Sequence, residues 1–400
     1  MDIGKTFAKK EKNKADSAPI IFDLHKRRDR QIISRLIIQS TIVHVNDDYV
    51  EQLREYFGIT NPTMVYTRGF GEAFQAYLKN VQKKKPLWQQ GRWVYFPWIS
   101  TLSHILEDKE FQMVRTARNR YLINKDEQER FYHATIGIAG LSVGNSVALA
   151  IVLQGGARRI KLADYDRLAL TNINRIRTGV QNLGLPKAEV TAREIYTINP
   201  YAKVEIFSDG LNKKNITRFF SGLDVVIDEI DNLAVKYLIR EQAKKHRIPV
   251  LMGADNGDNA IVDIERYDKN PRTPFFHGRL GKTSYEELSK LDKFGIGRTI
   301  TRHLGPENVT PRMLESLGEM GKTIVSWPQL GGAALLNGCA IAYCARKIIT
   351  GQPLESNRAL ISLDEKLEPG YYSLAKKKKR AKVAREFAKK MNISQEPQNI

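Results

Sequence analysis

The order of apolar and polar segments predicts an α/β fold: a doubly wound, mainly parallel sheet (Rossmann-like) preceded by an N-terminal α+β module. Three observations predict it. From Thr135 onward, short apolar runs alternate with amphipathic stretches of helical length. The first such run, ATIGIAG, enters a glycine turn that opens a helix. Pro186 sits at the start of a later helix and Asn199-Pro200 stops it, which is the expected placement of proline around a helix.

Each element follows in order. Residues 19–59 carry apolar runs at Ile20–Phe22, Ile32–Ile38 and Thr41–Val45, then a helical spacing of Val50, Leu53 and Tyr56 within 47–57. Three of the four tryptophans, Trp88, Trp93 and Trp98, fall in WQQGRWVYFPWISTL, which reads as the anchor of a small core. After ATIGIAG come a helix over 145–153, the strand RRIKLAD, the helix to Ile198, the strands AKVEIFS and LDVVIDEID, a helix over 233–246 and the strand IPVLMGAD. Right-handed crossovers place such helices on both faces of the sheet. The expected division is a disordered basic leader (1–14), an N-terminal module (15–112), the α/β domain (113–370, with a crossover insert at 269–322) and a basic tail (371–400).

The 400 residues carry a formal net charge of +20. Residues 1–40 hold ten basic and five acidic side chains, and residues 375–400 hold nine and two, so the ends supply +12 of that total. Runs such as Lys376 to Arg380 repel themselves, and both ends are expected to stay solvated, with attraction to RNA as the alternative. Two cysteines exclude a disulfide scaffold or a four-cysteine zinc site. The apolar run from Leu330 to Cys344 is shorter than the ~20 residues of a spanning helix. With no secretory leader visible, the expectation is a cytoplasmic protein without a membrane partner.

The chemistry-bearing residues gather after the strands. Gly140, Ser142 and Gly144 form a glycine-poor version of a strand-to-helix turn, which brings backbone N–H groups toward phosphate. Asp164 ends the second strand 24 residues later, where an acid accepts hydrogen bonds from ribose or simply starts a turn. DYDRLALTNINR adds Asp166, Asn172, Asn174 and Arg175 at the strand edge where open α/β sheets bind ligands. Lys187 opens the next helix against its dipole, a conflict that an anion resolves. Asp231 and Asn232 end LDVVIDEID and face the same crevice, or Asp231 caps the following helix. Cys339 and Cys344 read as inert core thiols, His277 and His303 as polar surface, and Asp255, Asn256 and Asp258 as a turn.

The run DYD…TNINR…LPKAEV…NP…DVVIDEIDN resembles the ThiF/MoeB/HesA family, the ubiquitin-activating-type adenylating fold, over about Arg115 to Asp364. WPQLGGAALLNGCAIAYCARKIITGQP resembles that family's returning helix, NRALISLDEKL the strand after it, and RTARNR its arginine-rich segment, with Arg118 at the second arginine. The resemblance implies an ATP-dependent adenylyltransferase using ATP and magnesium. Its substrate would be a carboxylate, often the C-terminal glycine of a small ubiquitin-like or sulfur-carrier protein. It implies that Arg175 and Lys187 contact phosphates, that Asp164 holds the ribose, and that Asp231 holds magnesium. It further implies that Arg118 reaches across a homodimer. Gly140, Ser142, Gly144, Asp166, Asn172, Asn174 and Asn232 complete the nucleotide set. Ser142, Val143 and Asn145 depart from the family's glycines, and the absence of cysteine from 269–322 speaks against a thioester step. The alternatives are an enzyme like the tRNA threonylcarbamoyladenosine dehydratases, acting on a tRNA carboxylate, an NAD-dependent oxidoreductase, or a non-catalytic nucleotide-binding module.

Overall fold

The computed structural model describes residues 17–393. The expected leader 1–14 and the last seven residues of the tail lie outside the described residues. The chain divides into two compact units, one comprising residues up to 128 together with 192–202, the other 129–191 together with 203 onward.

The first unit is built on a four-stranded sheet in the order β1-β3-β4-β2: β1 (Ile20–Phe22), β2 (His44–Asp47), β3 (Arg92–Phe96) and β4 (Thr101–Ile105). β3 runs antiparallel to β1 and β4, and β2 lies parallel to β4. Successive side chains of a strand point to opposite faces, and β3 uses both. Trp93 and Tyr95 pack with Phe22, Leu24, Ile33 and Leu102. Val94 and Phe96 pack with Ile105, Trp98, Phe111 and Tyr201. A further core gathers Tyr49, Leu53 and Phe57 from the helix Tyr49–Thr60 and Phe74 and Leu78 from the helix Phe70–Lys84. Of the tryptophan cluster, Trp93 is buried, whereas Trp88 is exposed.

The second unit carries a seven-stranded sheet in the order β11-β10-β9-β8-β5-β6-β7. β5 (Thr135–Ala139), β6 (Arg159–Ala163), β7 (Lys203–Phe207), β8 (Val225–Asp228) and β9 (Val250–Asn256) are joined by parallel pairings. β10 (Asn259–Glu265) and β11 (Asn357–Ile361) extend the sheet antiparallel. The sequence reading did not assign β10. Its residues NAIVDIE are buried throughout, so they lack the polar alternation that marks a half-exposed strand. The helices Val143–Leu153, Lys187–Ile198 and Leu233–His246 stand within two residues of their expected bounds.

The helix Gly331–Ile349 lies directly on the helix Val143–Leu153, because a Cβ at Gly338 would meet the backbone of Ser146. The polybasic segment departs from expectation. Leu374–Lys390 is a helix, with Ala384, Phe387 and Ala388 buried. Phe387 and Ala384 share a core with Met313 and Leu314 of the helix Pro311–Leu317. Apolar residues at helical spacing outweigh the mutual repulsion of the lysines on the opposite face.

Candidate functional site

The second unit turns its chain at the C-terminal ends of β5, β6, β8 and β9. After β5, Gly140 adopts φ +86°, and a Cβ there would strike the backbone carbonyl of Glu229, so this position requires glycine. The next N–H, of Leu141, donates to Asp164 Oδ2 at 2.7 Å. The other oxygen of Asp164 accepts from the Asp166 N–H at 2.8 Å. Asp164 thus ties the glycine turn to the loop after β6, and two of its roughly four acceptor positions remain. Burial raises its pKa, opposed by the Asp166 hydrogen bond and the Lys187 charge.

The side chains that replace glycine are put to use. Ser142 Oγ accepts from Arg175 Nε at 2.7 Å. Asn145, fully buried, donates to Thr191 Oγ1 at 3.1 Å and accepts from the Arg177 N–H at 3.2 Å. The Arg175 loop is further fixed from within. Arg175 Nη1 donates to the Thr171 carbonyl and to Asn174 Oδ1, and Asn174 Nδ2 donates to the Gln329 carbonyl. Asn172 Oδ1 accepts from the Ala169 N–H. Gly144 lies inside the first turn of the following helix, packed on Ile138.

Charge is concentrated around Arg175. Burial lowers its pKa, while Asp255 and Asp231 pull the other way, which places both carboxylates within electrostatic range. Asp231 is exposed and lies three residues beyond the end of β8, so the strand is shorter than the sequence suggested. Asn232, not Asp231, caps the helix Leu233–His246, accepting from the Val235 N–H at 3.1 Å. Lys187 is buried and pairs with Asp166 Oδ2 at 2.7 Å, so the anion that offsets its unfavourable helix position is supplied by the chain itself.

Asp255 corrects the turn reading of GADNGDN. Asp255 and Asn256 finish β9 and are buried, and the turn begins at Gly257. Asp255 Oδ1 accepts from Asn337 Nδ2 at 2.8 Å and Oδ2 from Gln329 Nε2 at 3.3 Å. Burial pushes its pKa up to about 6. Glu229, whose Oε1 accepts from the Gly253 N–H at 2.8 Å, is driven well above the usual carboxylate range by burial. Neither acid was singled out from sequence as part of the site. The signal available was positional, since Asp255 ends a parallel strand just as Asp164 follows one.

Arg118 belongs to the first unit, on the single turn Ala117–Asn119. His277 and His303 are not polar surface residues. His303 is buried and its Nε2 lies 3.0 Å from Asp263 Oδ2, with Arg358 donating to both oxygens of that carboxylate. His277 approaches the same carboxylate at 3.8 Å. The thiols differ from each other: burial raises Cys344 to about 11, whereas Cys339 on the same helix is exposed and departs from the expected inert core. Among the described residues no helix is long and apolar enough to cross a membrane, and no group of three or more His, Cys, Asp or Glu residues could hold a metal.

Comparison with known proteins bears on this arrangement. An uncharacterized protein of Mycobacterium tuberculosis is 33% identical over 311 residues, which is 77% of this chain and 43% of that protein. The tRNA threonylcarbamoyladenosine dehydratase of Bacillus subtilis is 29% identical over 174 residues, 42% of this chain and 68% of the enzyme. The sulfur carrier protein adenylyltransferase of Thermus thermophilus is 24% identical over 160 residues, 40% of this chain and 57% of the enzyme. The chain therefore spans less than half of the first of these relatives and between half and 70% of the other two. The pattern of the ThiF family itself matches residues 116–385, two-thirds of the sequence and the whole of the site built on β5, β6, β8 and β9, and the chain belongs to the ThiF family.

Proposed function

We propose that this chain is an ATP-dependent adenylyltransferase that activates a carboxylate as an acyl-adenylate, with the C-terminal glycine of a small ubiquitin-like or sulfur-carrier protein as the substrate class. The observation that carries the reading is the tether between Ser142 and Arg175, which sets a guanidinium beside the glycine turn at the end of β5. An incoming carboxylate and a triphosphate repel one another, so the reaction depends on cations held where charge builds up on phosphorus. Arg175 presents a planar donor fork to that charge. Lys187 has three donors, and its ion pair with Asp166 leaves donors for a phosphate oxygen. The free acceptor positions of Asp164 suit ribose hydroxyls. The relative from Thermus thermophilus, named for adenylating a sulfur carrier protein, supports the substrate class.

Magnesium fits this reading through Asp231, since the ion keeps several waters and takes one or two carboxylates plus substrate phosphates, and when bound it neutralises triphosphate charge. Arg118 is assigned, on the family resemblance, the role of an arginine donated across a homodimer. The reading includes no thioester step, because the 269–322 segment is free of cysteine; of the two thiols elsewhere, on the helix Gly331–Ile349, Cys344 is buried and Cys339 is exposed. ATP–pyrophosphate exchange with a panel of Gly-Gly-ending carrier proteins tests the function. Carrier-dependent exchange supports it. Absence of exchange together with no ATP binding by calorimetry overturns it.

A second reading is favoured by one feature, the basic helix Leu374–Lys390. There the activated carboxylate would sit on tRNA; the Bacillus subtilis relative is named a tRNA threonylcarbamoyladenosine dehydratase. ATP consumption dependent on modified tRNA, and not on any carrier protein, separates this reading from the first.

A further inference from the structure

We propose that Gln329 is a positioning residue for Arg175, a latch that ties the Arg175 loop to the end of β9 through Asn174. The inference deepens the adenylation reading and rests on it in one respect, that Arg175 meets phosphate.

The latch is a continuous set of hydrogen bonds. Asn174 Oδ1 accepts from Arg175 Nη1 at 2.9 Å, and Asn174 Nδ2 donates to the Gln329 carbonyl at 2.8 Å. Gln329 Nε2 donates in turn to Asp255 Oδ2 at 3.3 Å, and Asp255 is itself held by Asn337 Nδ2 at 2.8 Å. The orientation of the Asn174 amide is determined, because a guanidinium can only donate and a carbonyl can only accept. One carboxamide therefore serves both partners, and a shift of Gln329 reaches Arg175 through it. The start of the helix Gly331–Ile349 closes the same contact, since a Cβ at Gly331 would lie 2.4 Å from the Asn174 carbonyl oxygen.

The latch sits where the backbone supplies little order of its own. Residues 325–329 make no backbone-to-backbone hydrogen bond among the described residues, and 327–330 form neither helix nor strand. Such a segment is placed by its side chains rather than by a ladder. Trp327 packs against the core that holds Ile261, Leu304 and Met313, and Gln329 is the polar anchor between that core and the following helix. The Arg175 loop is short of regular structure too, with only the single turn Leu170–Asn172 before it. Two irregular segments 155 residues apart thus fix one another.

What the latch sets is the direction of one donor. Arg175 is held at Nε by Ser142 and at Nη1 by Thr171 and Asn174, while Nη2 makes no hydrogen bond to any described residue. A guanidinium is planar, so pinning Nε and Nη1 decides where Nη2 points. Thr171 belongs to the same loop as Arg175, and its bond travels with the loop. Ser142 ties the guanidinium to the glycine turn after β5, and Gln329 ties the loop to β9. Nη2 is the nitrogen left for a phosphate oxygen.

Amide hydrogen exchange at residues 173–177 tests the latch without any reaction, since the N–H groups of Arg175 and Ile176 are both paired with the Asn172 carbonyl. Gln329→Ala should speed exchange there about fivefold, the worth of one neutral hydrogen bond, with β5 and β8 protected as in the parent. ATP–pyrophosphate exchange reads the consequence. Arg175 is then misaimed but still present, so Gln329→Ala should lower kcat about fivefold and leave the KM for ATP within about twofold. A role in stability alone would lower the melting temperature and leave kcat per folded molecule unchanged. In an Asn174→Ala background, Gln329→Ala should cost less than about twofold, because the link it acts through is gone. Gln329→Glu combined with Asp255→Asn interchanges donor and acceptor at unchanged charge, and should recover at least about half of the parent rate. If the parent shows no pyrophosphate exchange, the adenylation reading falls, and the amide exchange still decides the latch. The proposal is overturned if 173–177 keep their protection in Gln329→Ala, if that substitution costs as much without Asn174 as with it, or if the paired swap stays at the rate of Gln329→Ala.

Discussion

Ser142 Oγ and Arg175 Nε are 2.7 Å apart, and through that bond a residue that departs from the family's glycine turn holds the site's central cation. Removing the hydroxyl frees the guanidinium without unpairing it, since Nη1 keeps the Thr171 carbonyl and Asn174. A hydrogen bond to a charged group contributes about 1.5 kcal/mol or more, so Ser142→Ala should slow ATP–pyrophosphate exchange about tenfold. Arg175→Ala should slow it at least about a hundredfold. Both variants should melt close to the parent. Equal exchange rates in Ser142→Ala and parent would show that the tether does not position Arg175 for the reaction.

Asp255 makes stability depend on pH in a direction opposite to that of a surface carboxylate. Its carboxyl titrates at about 6 in the folded chain, against roughly 3.9 when unfolded. The folded state therefore holds this proton more tightly. The stability so gained is complete below pH ~4 and is lost as the pH rises through ~6. Asp255→Asn has no such loss. The melting temperature of the variant relative to the parent should rise across that window and level off above it, by an amount equivalent to something on the order of 2 kcal/mol. Melting curves that run parallel from pH 4 to 7 would exclude Asp255 as the titrating group.

How much of this was legible in the sequence depends on how each residue signals itself. The parallel strands and their helices are visible because apolar period and punctuation agree, as with Pro186 before the helix Lys187–Ile198. Asp164, Arg175 and Lys187 could be read because they follow strand ends in a recognisable spacing. Asp255 was not, since GADNGDN has the composition of a turn, and only its pairing with Asn337, 82 residues on, reveals it as a buried strand acid. His303 was hidden for the same reason, its partner Asp263 lying 40 residues earlier on the unassigned β10. The basic helix misled in another way. Its lysines dominate the composition, while three small or aromatic residues on one face decide the structure.

Beneath the site, Arg240 is fully buried between two acids, 2.6 Å from Asp228 and 2.8 Å from Glu265, with its guanidinium 3.9 Å from the Phe276 ring centroid. Asp228 retains Lys236 and Glu265 retains Tyr267 if the arginine is lost, but two buried carboxylates then share too few donors. Removing one partner of a buried pair typically costs about 3–5 kcal/mol. Arg240→Met should lower the urea midpoint accordingly. Lys236→Met should cost less, because Arg240 remains on Asp228. A midpoint for Arg240→Met within experimental error of the parent would mean that the network relaxes without it.

The basic helix supplies the last test, because its position depends on a few apolar atoms. Phe387 is 6% exposed and packs with Met313, Leu314 and Ala384, whereas the lysines at 376–379 face outward or pair only at the surface, as Lys376 does with Glu368. Truncating a buried phenylalanine costs about 3–5 kcal/mol, more than the surface ion pairs of the helix can return. Phe387→Ala should therefore melt the helix Leu374–Lys390 locally. Amides of residues 384–390 should lose hydrogen-exchange protection while those of β5 and β8 keep theirs. If the helix presents its charge to RNA, the same variant should weaken RNA binding, with a shallower salt dependence than the parent. Retained protection at 384–390 would show that the lysine-rich helix is held by something other than this apolar face, and an unchanged salt slope would remove RNA from its list of partners.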